Sequence, residues 1–74
     1  MSEILDATGL RCPLPVLKAR KRLKEVAPGG ELTVLADDPA APKDFVAFCE
    51  TTGCVLLENA EEGGVYKIRL KKPA

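Results

Sequence analysis

Seventy-four residues, 46% hydrophobic and 30% charged, with eleven basic side chains balanced by eleven acidic ones, make one domain over residues 1–74. A chain this short buries only about 60% of its unfolded surface, which leaves no room for a second core and makes a deep substrate pocket implausible. Zero net charge, one Tyr, two Phe and no Trp argue against a nucleic-acid field or base-stacking platform, and the absence of His removes Ser/His/Asp triads, Cys/His proteases and His-ligated zinc.

Glu3 to Ala7, with Ile4 and Leu5 adjacent, reads as a short first strand. The segment around it carries Glu3 and Asp6 and no basic region leading into an apolar stretch, so no secretory signal is expected. No apolar run approaches membrane-spanning length either. Three cysteines are an odd number for a disulfide framework, and reduced thiols in a cytoplasmic protein are the expectation. From Pro13 to Val26 the spacing of Val16, Ala19, Leu23 and Val26 predicts an amphipathic helix, with Lys18, Lys21, Arg22 and Lys24 on its other faces. Glu31 to Ala36 is a strand apolar on both sides, hence central.

Asp38 before Pro39 predicts the start of a second helix and Gly53 its stop, with Phe45, Phe48, Cys49 and Thr52 on one face. Cys54 to Asn59 and Val65 to Lys71 are expected as a hairpin around Ala60 to Gly64. In its second strand Tyr66, Ile68 and Leu70 alternate with Lys67, Arg69 and Lys71, so one sheet face is wet. Right-handed crossovers in the order β-α-β-α-β-β place both helices on one side of a mixed four-stranded sheet. The predicted fold is an α/β two-layer sandwich.

Cys12-Pro13-Leu14-Pro15 is the unusual stretch. If Pro13 opens the helix, Cys12 is its N-cap; if Pro15 delays the helix, Cys12 lies in the preceding loop. Either way the sulfur is close to a helix N-terminus and beside Arg11, both of which favour an anion, so a thiol pKa below the free value of about 8.5 is expected. Gly9 would let the chain turn tightly before it. Cys49 reads as a core thiol and Cys54 as structural, with no Cys-x-x-Cys pair to hold a metal. Asp37 and Asp38 are either paired carboxylates or capping groups, and their loop is a second candidate for partner docking. Lys18, Arg20, Lys21, Arg22 and Lys24 form a solvated face or a docking surface for acidic partners or RNA phosphates.

Asp6-Ala7-Thr8-Gly9-Leu10-Arg11-Cys12-Pro13-Leu14-Pro15, then Ala36-Asp37-Asp38-Pro39-Ala40, then Phe48-Cys49 resemble the TusA (SirA-like) family of sulfur carriers over essentially the whole chain. The resemblance implies that Cys12 accepts sulfane sulfur as a persulfide and hands it on, without metal, flavin or nucleotide. It implies a cysteine desulfurase or rhodanese-like donor and acceptors that include the DsrE-like relay to tRNA 2-thiouridine. It also places the Asp37 and Asp38 loop on the same side of the fold as the cysteine. The rival reading is a noncatalytic RNA- or protein-binding module using the basic first helix, with Cys12 incidental. A likeness of the fold to the C-terminal domain of a ribosome-binding initiation factor is weak support for it.

Overall fold

The structure, a computed structural model, describes residues 2–73; Met1 and Ala74 lie outside the described residues. Six elements follow in the expected order: β1 (Ser2–Asp6), α1 (Leu14–Leu23), β2 (Glu31–Ala36), α2 (Ala41–Thr52), β3 (Val55–Glu62) and β4 (Val65–Lys71). The strands form one mixed sheet in the order β1-β2-β4-β3. β1 runs parallel to β2, and β4 runs antiparallel to both β2 and β3. The two helices pack on one face and leave the other open.

The core lies where the alternating strand residues meet the helical stripes. Leu5 pairs with Val34, Val34 with Ile68, and Leu32 with Leu70, which puts these side chains on one sheet face. Against them pack Ala19 and Leu23 of α1 and Phe45 and Phe48 of α2, all buried. The Phe45 and Phe48 rings meet edge to face at 6.0 Å, a favoured aromatic geometry. On the open face, Arg69 lies 3.7 Å from Glu31 and 3.8 Å from Glu58, joining β4 to both its neighbours.

Several boundaries differ from those predicted. The first helix ends at Leu23, and the chain continues through turns so that Val26 still reaches the core. Lys72 Nζ holds this end by donating to the carbonyl oxygens of Leu23 (2.7 Å) and Val26 (2.8 Å). A cation there satisfies carbonyls that no helical N–H can reach and complements the helix dipole. The second helix starts at Ala41, not Pro39, and its N-cap is Ala40 without a side-chain cap; Asp38 serves the loop instead. The hairpin is longer and tighter than expected: β3 runs to Glu62, and the turn is only Gly63 and Gly64. Their φ values of +59° and +85° are those of a type I′ turn, where a side chain would be strained.

Candidate functional site

The loop from β1 to α1 is built by carboxylates. Asp6 Oδ1 accepts from the Thr8 hydroxyl (2.6 Å) and the Thr8 N–H (3.0 Å), turning the chain as it leaves β1. Gly9, with φ of +84°, makes the next bend, and its N–H donates to Asp37 Oδ1 at 3.0 Å. The Cys12 N–H donates to Asp38 Oδ2 at 2.5 Å, while Asp38 Oδ1 accepts from the Ala40 N–H at 3.1 Å. Asp37 and Asp38 therefore tie the cysteine loop to the segment between β2 and α2. The capping reading of Asp38 does not hold, since the N-cap of α2 is Ala40 without a side-chain cap; both carboxylates accept loop N–H groups instead.

The charge-assisted bonds leave their mark on the acids. The Thr8 hydroxyl, and then its N–H, hold the Asp6 carboxyl below the ordinary carboxylate range. The N–H groups of Ala40 and Cys12 do the same for Asp38, with a smaller contribution from the Arg11 charge.

Cys12 is exposed, whereas Cys49 and Cys54 are buried, and all three thiols are free. The Cys12 sulfur does not sit in the anion-favouring site expected of it. Its pKa is pushed up, first by hydrogen bonding to the Asp44 side chain, then by desolvation, then by the charges of Asp44 and Asp38. The reason lies in the motif itself. The N-cap of α1 is Pro13, so Cys12 is in the preceding loop. Pro13 and Pro15 have no N–H to offer, the Leu14 N–H is spent on the Arg11 carbonyl (2.8 Å), and the Cys12 N–H is spent on Asp38. The prolines that suit the first turn also remove two of the donors that could stabilise a thiolate. The Arg11 charge acts on Asp38.

Cys12, Pro13 and Val16 of one segment and Asp44, Ala47 and Thr51 of α2 line a groove of about 270 Å³ between the helices. Arg20 and Phe48 form its inner wall and separate it from an adjoining apolar groove of about 310 Å³ that reaches Lys24, Cys54 and Lys72. The exposed thiol lies in the first of these, the more polar one. The Arg20 guanidinium sits 5.7 Å from the Phe48 ring centre, a cation-π contact. Pro15 is buried.

The basic residues of α1 do not make one face. Lys18, Lys21 and Arg22 lie toward β1, beside Leu5, and Arg22 pairs with Glu3 at 3.0 Å. Arg20 and Lys24 lie toward α2. Asp44 was missed by the sequence reading. Its signal was its place four residues before Phe48, which puts it at the edge of the buried stripe of α2 and not on the solvent side.

Residues 3–72 match the family described as Sulfurtransferase TusA. The sulfur carrier protein TusA of Allochromatium vinosum is 50% identical over 68 residues, covering 92% of this chain and 90% of that one. A protein of the same description from Pseudomonas aeruginosa strain LESB58 is 45% identical over 71 residues, covering 96% and 90%. A SirA-like protein from Desulfitobacterium hafniense superposes with a TM-score of 0.84 at 28% identity, over 97% of this chain and 99% of that one. With the β-α-β-α-β-β sandwich and these likenesses spanning nearly its whole length, the chain belongs to the TusA family of sulfur carriers.

Proposed function

We propose that this carrier holds its sulfur on Cys12, as a persulfide received from one protein and delivered to another. The observation that supports this reading is that Cys12 is the exposed thiol, on a loop fixed by Asp37 and Asp38, while the other two thiols are buried. In loading, the Cys12 thiolate attacks the terminal sulfur of a donor persulfide. A bond forms between Sγ and that sulfur, the donor S–S bond breaks, and the donor cysteine leaves as a thiolate. In delivery an acceptor thiolate attacks the same terminal sulfur and Cys12 leaves in turn. Two thiolates exchange one sulfane sulfur, so there is no net oxidation and no metal, flavin or nucleotide is required.

A sulfur carrier has donor and acceptor partners by definition. The donor proposed here is a cysteine desulfurase or rhodanese-like protein and the acceptor a DsrE-like protein, with tRNA 2-thiouridine or related sulfur trafficking as the end use. An exposed thiol on a rigid loop suits both encounters, because two different active sites must reach it. No helix among the described residues is long and apolar enough to cross a membrane, and the proposed setting is the cytoplasm.

Intact-mass analysis after incubation with a cysteine desulfurase and cysteine tests the reading. One added sulfur on the wild-type chain, mapped to Cys12 and lost in Cys12→Ser, is the expected result. Sulfur that persists in Cys12→Ser would falsify it.

A further inference from the structure

Asp44 stands in the first turn of α2, half-buried, and lines the same groove as the Cys12 thiol. Among the described residues it takes part in none of the ion pairs, which all lie elsewhere. The charged groups around the sulfur are Asp44 from α2, Asp38 from the loop before it, Arg11 from the cysteine's own loop and Arg20 from α1. Arg11 acts on Asp38, and Arg20 lies over Phe48. The Asp44 carboxylate thus borders the same groove as the thiol and has no ion-pair partner among the described residues.

We infer that Asp44 is a positioning residue that makes Cys12 retain its sulfur, because its carboxylate opposes the departure of Sγ as a thiolate. The inference rests on the reading of Cys12 as the persulfide site. When any thiolate attacks the terminal sulfur, a new S–S bond forms there and the bond to Sγ breaks, leaving its electron pair on Sγ. The rate of that step falls as the leaving thiol becomes more basic. A negative charge beside Sγ raises the energy of the leaving anion, so stray small thiols remove the cargo slowly. A partner that brought a cation to Asp44 would undo the restraint, and neutralising the residue by mutation mimics that event.

The test uses Asp44→Asn, with Asp44→Ser as a second neutral variant, Asp44→Glu as the conservative one and Glu50→Gln as a charge control on the same helix. Empty protein is alkylated with uncharged iodoacetamide across pH, and Cys12 is followed by peptide mass. Protein loaded with inorganic polysulfide is then exposed to dithiothreitol at pH 7, and loss of the added sulfur is timed. In the neutral variants the alkylation midpoint should move to lower pH, with about threefold faster reaction at pH 7 per unit moved, since the gain in thiolate is partly offset by its lower nucleophilicity. Sulfur loss should quicken about threefold per unit, as expected for a leaving-group dependence of about one half. Asp44→Glu and Glu50→Gln should stay close to wild type. Unchanged rates in folded neutral variants that load normally overturn the inference alone, as does an equal effect from Glu50→Gln. Wild-type protein that takes no sulfur on Cys12 overturns the carrier reading and the inference together.

Discussion

Two aspartates act on different parts of Cys12: Asp38 takes its backbone N–H, and Asp44 faces its sulfur. Removing the first should loosen the loop without touching the thiol's nearest neighbour. Asp38→Ala is expected to reduce hydrogen-exchange protection of the Cys12 and Ala40 amides, while amides of β2 and β4 keep theirs. Acid should do the same thing to the wild type. Asp6 and Asp38 have folded pKa values below the unfolded one, so the folded state binds fewer protons. Their contribution is complete above the unfolded carboxylate value of about 3.9 and is lost as pH falls through the depressed folded values. The melting temperature of an Asp6→Asn, Asp38→Asn double variant should therefore fall less steeply below pH 4 than that of the wild type.

The thiols differ as sharply. Burial, and then the neighbouring Cys54, push Cys49 up to about 11. Iodoacetamide on the folded protein at pH 8 should label Cys12 alone, and Cys49 and Cys54 should react only after unfolding. The sequence allowed the core setting of Cys49 to be read, since it follows from local pattern. It did not allow the direction of the Cys12 shift to be read. That depends on which amides the loop had already committed and on a carboxylate 32 positions further along the chain, brought alongside only by the packing of α2 against α1.

Among the elements, those with apolar periodicity were legible and those without it were not. The stripe Phe45, Phe48, Cys49 is buried as its spacing requires. From Ala60 to Glu62, beyond the predicted strand end at Asn59, the chain has no apolar alternation, so nothing local marks it as strand. It is strand because the Gly63-Gly64 turn folds it back along β4, and because a register shift between Leu56 and Glu58 brings Glu58 opposite Arg69. The turn carries its own test. A Cβ on Gly64 would meet nothing within 4 Å, so the cost of Gly64→Val is one of backbone conformation, about 1–2 kcal/mol. Gly63→Asn creates an Asn-Gly pair suited to a type I′ turn and should leave stability nearly unchanged. Urea unfolding of the two variants separates these outcomes; equal loss in both would refute the turn assignment.

At the scale of the molecule, the balanced charge of the chain hides an uneven distribution. Arg22 is engaged with Glu3, while Arg20 and Lys24 border the grooves between the helices. If acidic partners are steered to the side that carries Cys12, reversal at Lys24 should matter more than reversal at Lys21. Lys24→Glu is expected to slow transfer between proteins and flatten its dependence on salt, since steering acts on association. Lys21→Glu should have the smaller effect, and neither should alter reaction of Cys12 with iodoacetamide by more than about twofold, given screening over about 10 Å. An equal effect of the two reversals would remove the distinction between the two sides of α1.

The order of strands across the sheet has a consequence for how the chain is made. β4 is last in sequence but lies inside the sheet, between β2 and β3. A nascent chain leaving the ribosome N-terminus first therefore shows β1, α1, β2 and α2 as a two-stranded parallel ribbon with an open edge at β2. It also shows Phe45 and Phe48 without Ile68 and Leu70 to pack on. Loop closure is spent on contacts that only the final strand can repay. Folding is thus deferred until β4 is out. Until then the unpaired edge of β2 needs shelter from other chains, and protease should cut stalled chains that lack β4 throughout, while sparing those that include it.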